Sequence, residues 1–155
     1  MRLRDFRIVH LPLSLVLYAL EKIMPFPVDE KFISKAEFEL GIKFPRCFCE
    51  KMKLSNGGSV EVGKDDFNLL PFYDTSDKKR IKRTCNSIVH ETKSARENYG
   101  FPQDLVIIGE NGGGDFLVFK INETQEVSNS VYWWDHETEE LVFAAKSFEV
   151  LDARV

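Results

Sequence analysis

The residues most suggestive of chemistry surround three consecutive glycines, in the stretch VIIGENGGGDFLVF at positions 106–119. Glycine-rich turns after strands often hold phosphate, and Glu110, Asn111 and Asp115 offer oxygen ligands for a calcium ion. A P-loop needs a Lys and a Ser or Thr after its last glycine, but Asp115 and Phe116 stand there. The carboxylates would repel phosphate, and the spacing of known calcium loops is absent. The pattern therefore favours a hairpin turn over a nucleotide or calcium site.

The histidines are the next candidates for catalysis or metal binding. His10, His90 and His136 are far apart in sequence, and none belongs to a motif such as H-E-x-x-H. In the stretch DHE, Asp135 and Glu137 flank His136 and could orient its imidazole for base catalysis. However, this stretch lies in a predicted hairpin turn, where polar residues are expected in any case. A G-x-S-x-G nucleophile motif is also missing. The residues thus indicate no catalytic constellation, no metal site and no cofactor.

The C-terminal third of the chain is distinctly acidic. Residues 1–99 carry 18 basic and 14 acidic side chains, a net charge of +4, whereas residues 100–155 carry 3 basic and 11 acidic ones, a net charge of −8. Such a charge does not suit direct nucleic-acid binding, but it suits a basic protein partner. A solvated acidic surface is the simpler alternative. The basic run at 77–83 lacks interleaved aromatic residues, and we interpret it as a solvated helix start.

Three consecutive aromatic residues, Tyr132, Trp133 and Trp134, stand at the end of a predicted strand. A strand sends successive side chains to opposite faces, so one tryptophan can fill the core while the other needs separate cover. We expect that second ring to be covered, with an exposed ring as the alternative, because exposed tryptophan often marks a binding face. The candidate partner-binding residues are Glu110, Asp115, Trp134, Asp135 and Glu137.

Periodicity predicts helices first and strands later. The clearest helix follows Asp29, a capping residue, and ends at Gly41. A second helix begins near Pro45 and carries an apolar stripe, Phe44, Phe48 and Met52. Two short strands, one long helix, two hairpins and a short closing helix follow. The pattern indicates a single α+β domain, with a mostly antiparallel sheet, N-terminal helices, one inserted helix and a short C-terminal helix.

The cysteines and the N-terminal segment bear on the compartment. Three cysteines without paired spacing indicate free thiols, which predicts a reducing, cytoplasmic environment. Asp5, His10 and Pro12 interrupt the N-terminal apolar run, which disfavours a signal peptide, and no run is long enough to cross a membrane. We predict that residues 1–26 form a helical extension packed on a domain that spans residues 27–155.

Several short motifs follow one another along the chain, and their order is more specific than any one of them. They are Leu40-Gly41 with Phe44-Pro45, Asn56-Gly57-Gly58, Phe101-Pro102 with Leu105, Gly109 and Gly112-Gly113-Gly114-Asp115, Val131-Tyr132-Trp133-Trp134-Asp135-His136-Glu137, and Ser147-Phe148 with Leu151. Over about residues 28 to 151, this order resembles the SUKH superfamily, specifically its Smi/Knr-like branch.

The resemblance implies a single α+β domain without enzymatic activity, whose motif residues are structural. Bacterial members of the family resemble immunity proteins that bind a toxin domain, often a nuclease or deaminase, and neutralise it. The resemblance therefore implies a cytoplasmic bacterial antitoxin whose partner is a cognate toxin, and the acidic C-terminal third suits the basic surface of a nuclease. The alternative is a regulatory or scaffold module that binds proteins, like the fungal cell-wall assembly regulators.

Overall fold

The computed structural model describes residues 12–15 and 25–152. Residues 13–15 are helical, and the rest of the predicted N-terminal extension, apart from residues 12, 25 and 26, lies outside the described residues. The elements that follow are α1 (Glu30–Leu40), α2 (Arg46–Leu54), β1 (Ser59–Val62), β2 (Asp65–Leu69), α3 (Lys78–Thr84), α4 (Ile88–Tyr99), β3 (Leu105–Glu110), β4 (Phe116–Ile121), β5 (Val127–Trp134), β6 (Leu141–Ala145) and α5 (Phe148–Asp152). None of the helices within the described ranges has the length and apolar character that a membrane crossing requires.

Helix α1 begins and ends where the sequence predicts. The side chain of Asp29 accepts a hydrogen bond from the backbone N–H of Lys31 at 2.9 Å. Gly41 ends the helix with a left-handed φ of 66°, a conformation that glycine adopts without steric cost. The inward face of α1 buries Phe32 and Ile33 in the hydrophobic core, and the helix packs against α4. Local capping chemistry therefore fixes the bounds of this helix.

Within the described residues, the six strands form one antiparallel sheet in the order β1-β2-β3-β4-β5-β6. Strands that are consecutive in the chain are neighbours in the sheet, so most connections are hairpin turns and only the β2–β3 connection carries helices. The predicted hairpins around the glycine turn and around the HETE turn are confirmed. The protein is thus a single α+β domain, as predicted.

The insertion between β2 and β3 contains two helices, where the sequence predicted one. The hydroxyl of Thr84, the last residue of α3, donates to the carbonyl of Arg80 at 2.7 Å and accepts from the backbone N–H of Asp74 at 2.9 Å. A new helix then begins because the side chain of Ser87 caps it, accepting from the backbone N–H of His90. Because of this internal cap, a segment whose apolar residues recur with one continuous helical spacing forms two helices.

The core on one face of the sheet is built around Phe48, whose side chain is fully buried. Its ring centroid lies 4.9 to 5.9 Å from four other rings, those of Phe44, Phe72, Phe119 and Phe148. The rings of Phe119 and Phe148 pack edge-on against Phe48, and the other two are tilted against it. Edge-to-face aromatic pairs stabilise a core beyond the burial of area alone. The predicted apolar stripe on α2 is therefore confirmed, and α2 and α5 together cover this face of the sheet.

Candidate functional site

The glycine loop is the turn between β3 and β4, so its interpretation as a hairpin turn is confirmed. The side-chain oxygen of Asn111 accepts hydrogen bonds from the backbone N–H groups of Gly113 and Asp115, both at 3.0 Å. Gly114 has a φ of 95°, which side-chain-bearing residues rarely adopt. The backbone N–H groups of Asn111 and Gly114 also bond within the loop. Most of the donors that a phosphate would require therefore hold the turn itself together.

The second loop at this end of the sheet joins β5 to β6. The carboxylate of Asp135 accepts from the backbone N–H groups of Glu137 and Thr138, at 2.8 and 3.1 Å. The backbone N–H of Asp135 donates to the carbonyl of Glu140 at 3.0 Å and closes the hairpin. Asp135 is half-buried and Glu137 is exposed. The acidic residues of this loop thus divide into one that shapes the turn and others that face solvent.

Asp115 joins the two loops. Its Oδ1 accepts from the backbone N–H of His136 at 3.1 Å and lies 2.6 Å from the Nδ1 of the same histidine, while its Oδ2 accepts from Trp133 Nε1 at 2.9 Å. A Cβ atom added to Gly114 would lie 3.4 Å from the His136 ring, so the glycine lets the ring approach closely. Asp115, 15% exposed, therefore acts as the internal link of the site.

The contact between Asp115 and His136 shifts the pKa of both groups. Burial favours the neutral carboxyl of Asp115, but the hydrogen bonds from His136, Trp133 and Asn111 outweigh it and hold the pKa below the ordinary 3.8. The hydrogen bond to Asp115 raises the pKa of His136 above 6.5, against the smaller opposing effect of burial. The pair is thus most stable as an imidazolium and a carboxylate.

Three groups in this region have the donor atoms of a metal site. Ligand-type atoms of Asp115, Asp135 and His136 all lie within 4.8 Å of one another. However, both oxygens of Asp115 and one oxygen of Asp135 already accept hydrogen bonds from the two turns. Those contacts account for the cluster as a hydrogen-bonded junction. The calcium site considered in the sequence analysis combined Asp115 with Glu110 and Asn111. Glu110 is not one of the three residues that come together here.

The two tryptophans lie on opposite faces of β5, as the strand geometry predicts. Trp134 is 8% exposed, stacks on Phe116 at 5.8 Å and contacts Phe101 edge-on at 5.1 Å. Trp133 is half-buried, and its ring packs against Phe67 at 5.1 Å. The covered positions expected from the sequence are therefore observed. Trp134 is part of the core and offers almost no surface to a partner, whereas its candidate role in binding stays a prediction.

Glu110 is the last residue of β3, at the same end of the sheet as the β3–β4 and β5–β6 turns. Strand pairing aligns Glu110 with Phe116, Phe116 with Trp134, and Trp134 with Leu141. Glu110 is half-buried, and burial raises its pKa, with the negative charge of Glu91 raising it further. Together with the β5–β6 turn, Glu110 places five acidic residues at this end of the sheet. We call them the acidic rim: Glu110, Asp135, Glu137, Glu139 and Glu140.

Sequence reasoning missed the central contact of the site. Asp115 and His136 are 21 positions apart, and Asp115 and Trp133 are 18 apart. No local pattern links residues at that distance. The available signal was the occurrence of the GGGD motif and the YWWDHE motif in one chain, because both contribute residues to the same junction.

Comparison with known families gives one finding that covers most of the chain. A family model described as the SMI1 / KNR4 family (SUKH-1) matches residues 27–151. The matched region begins just before α1 and ends inside α5, so it includes every strand and both loops of the site. No curated protein matches the sequence.

Proposed function

Since the chain belongs to the SMI1 / KNR4 family (SUKH-1), we propose that it is an immunity protein that binds and neutralises a cognate toxin. Members of the SUKH family are generally non-enzymatic immunity proteins. The same proposal makes the chain a bacterial antitoxin that acts in the cytoplasm, where its three free cysteines would stay reduced.

The observation that carries this proposal is the acidic rim. Residues 100–155 hold a net charge of −8, and the sheet gathers much of that charge at the end formed by the β3–β4 and β5–β6 turns. A nuclease or another toxin that modifies nucleic acid must present a basic surface to phosphate. An acidic rim complements such a surface and accelerates association with it, which suits a protein that has to intercept a toxin quickly.

The site residues take different parts in this proposal. Glu137 is exposed and Asp135 and Glu110 are half-buried, and all three belong to the acidic rim, so these three would contact the toxin. Asp115 would act as a positioning residue, because its carboxylate holds His136 and Trp133 in place. Trp134 would contribute only through the core that supports β5.

The proposal is tested by co-expression with the product of the adjacent gene. We expect protection from its toxicity and a complex that co-purifies in low salt and weakens as salt is added, since the attraction between exposed charges is screened. Persistent toxicity together with no complex in low salt would contradict the proposal. Recovery of several modest-affinity partners and no toxin would favour the scaffold function instead.

A matched pair of variants examines the acidic rim itself. Glu137→Lys reverses a charge on the rim, whereas Glu123→Lys makes the same change in the exposed β4–β5 turn at the opposite end of the sheet. We expect Glu137→Lys to weaken the complex about tenfold in low salt, mainly by slowing association, and Glu123→Lys to leave it nearly unchanged. Equal effects of the two variants, measured by calorimetry, would show that the rim is not the contact face.

A further inference from the structure

Asparagine is followed directly by glycine at two places in the chain, Asn56-Gly57 and Asn111-Gly112. This pair is the most reactive setting for an asparagine side chain, because the backbone nitrogen of the next residue can attack the side-chain amide carbon. Glycine has no Cβ to obstruct that attack. The two pairs share this local chemistry but lie in different surroundings, so the structure decides which of them can react.

The pair Asn56-Gly57 is held by hydrogen bonds in the interior. Asn56 is 6% exposed, its side-chain oxygen accepts from the backbone N–H of Phe72 at 2.8 Å, and its side-chain nitrogen donates to the carbonyl of Phe72 at 2.9 Å. Gly57 is also buried, and its N–H donates to the carbonyl of Ser55 at 3.0 Å. Both reacting groups are therefore occupied and lie away from water.

The pair Asn111-Gly112 lies in the turn between β3 and β4, where the nitrogen of Gly112 is accessible. Gly112 is exposed, and its N–H makes no hydrogen bond with any of the described residues. A Cβ atom added to Gly112 would meet nothing within 4 Å, so the space beside the nitrogen is open. A solvated N–H can lose its proton to hydroxide and become a nucleophile, whereas the N–H of Gly57 is held by its acceptor.

The loop also activates the carbonyl group of the Asn111 side chain. Its oxygen accepts hydrogen bonds from the backbone N–H groups of Gly113 and Asp115, both at 3.0 Å. Two donors on one carbonyl oxygen stabilise the negative charge that develops there when a nucleophile adds to the carbon. The hydrogen bonds that shape the turn therefore also favour attack on Asn111.

We infer that Asn111 is a site of spontaneous deamidation, with the backbone nitrogen of Gly112 as the nucleophile. After losing its proton to hydroxide, that nitrogen bonds to the side-chain carbon of Asn111, and the side-chain nitrogen takes up a proton and leaves as ammonia. The product is a cyclic succinimide. Water then adds to either of its carbonyl carbons and opens the ring, which leaves aspartate or isoaspartate at position 111. Water and hydroxide are the only other reactants.

Deamidation changes the turn that carries the site. Either product places a new carboxylate beside Glu110 of the acidic rim. Isoaspartate also lengthens the main chain by a methylene group, which disturbs the hydrogen bond from the Asn111 N–H to the carbonyl of Asp115 at 3.2 Å. Because Asp115 links the two turns, isoaspartate should loosen that junction. The reaction goes beyond toxin binding and does not depend on it.

The test is incubation of the folded protein at pH 8, followed by peptide mapping with mass spectrometry, which detects the exchange of NH2 for OH at each asparagine. We expect Asn111 to convert at least about tenfold faster than Asn56, because Asn56 can react only after the surrounding structure opens. In denaturant, the two sites should convert at similar rates. Incubation at pH 6 should slow the conversion of Asn111, because fewer of the attacking nitrogens are deprotonated.

The variant Gly112→Ala identifies the nucleophile. Its new Cβ meets nothing within 4 Å in the folded protein, but it hinders the attack and should slow the conversion of Asn111 about tenfold. Undiminished conversion in this variant overturns the inference, because water rather than the Gly112 nitrogen would then be the nucleophile. Equal rates at Asn111 and Asn56 in the folded protein also overturn it, as does an Asn111 that converts only in denaturant.

The effect on the turn is measured against Asn111→Asp, which carries the charge of both products on a normal backbone. Protein enriched in isoaspartate by incubation should unfold at a lower temperature than this variant. Equal unfolding temperatures would refute the loosening of the junction.

Discussion

Replacing Asp115 by asparagine tests whether one carboxylate holds the two turns together. The change keeps the size of the side chain but replaces one oxygen by an N–H donor, which then faces His136 on one side or Trp133 Nε1 on the other. About two hydrogen bonds to a charged acceptor are lost. At a side chain that is 15% exposed, each contributes about 1 kcal/mol, so the free energy of unfolding should fall by about 2 kcal/mol.

The effect should depend on pH in a direction fixed by the two pKa shifts. The pKa of His136 is raised above 6.5 in the folded state, so its stabilisation is fully present below 6.5 and is lost as pH rises through the raised value. The pKa of Asp115 is lowered, so its stabilisation is present above 3.8 and is lost as pH falls through the lowered value. The difference between wild type and Asp115→Asn should therefore be largest between pH 3.8 and 6.5.

Thermal unfolding at pH 5.5 and pH 8 provides the measurement. For a chain of 155 residues, a loss of about 2 kcal/mol corresponds to a fall in Tm of about 4–8 °C at pH 5.5, with a smaller fall at pH 8. The His136 imidazole, followed by NMR, should titrate at lower pH in the variant than in wild type. Asp66→Asn, at an exposed position on β2, serves as the control. If the two variants unfold at the same temperature and His136 titrates unchanged, the linking role of Asp115 is wrong.

Two further predictions concern the glycine turn and the cysteines. Gly114→Ala should lower the free energy of unfolding by about 1–2 kcal/mol, because φ at this position is 95° and the new Cβ would lie 3.4 Å from the His136 ring. In the control Gly112→Ala, the new Cβ meets nothing within 4 Å, so the free energy of unfolding should change little. Equal losses of the two variants in denaturant unfolding would contradict this account. Burial raises the pKa of Cys49 to about 11, with the negative charge of Glu37 adding to it, so Cys49 should react with iodoacetamide at pH 8 far more slowly than the exposed Cys85. Mass spectrometry of partly alkylated protein measures the relative labelling rates of the two cysteines, and faster labelling of Cys49 than of Cys85 would refute the prediction.

Much of the fold could be predicted because its signals are local. Asp29 and Gly41 fix the ends of α1 through contacts within a few residues, and the turn residues mark each hairpin in the same way. The split between α3 and α4 escaped prediction, although Ser87 is a typical capping residue, because the apolar period runs on across it. A periodic pattern reports which face is buried and says little about where a helix is interrupted.

The candidate site was only partly predictable. The sequence identified Glu110, Asp115, Asp135 and Glu137 as an acidic group, since composition and motif order are visible in the chain itself. It did not decide which carboxylates face solvent. Asp115 is turned inward by hydrogen bonds to residues 18 and 21 positions away, while Glu137 stays exposed.

The sequence by itself determined the kinds of element, the turns between them, the family and the acidic character of the C-terminal third, because each of these depends on residue type and short spacing. Only the tertiary structure decided that Asp115 links two turns, that Trp134 fills the core and that β6 stands at the end of the strand order. Those features follow from strand order and register. Order and register are set by packing between residues that are distant in the chain, and so no local pattern carries them.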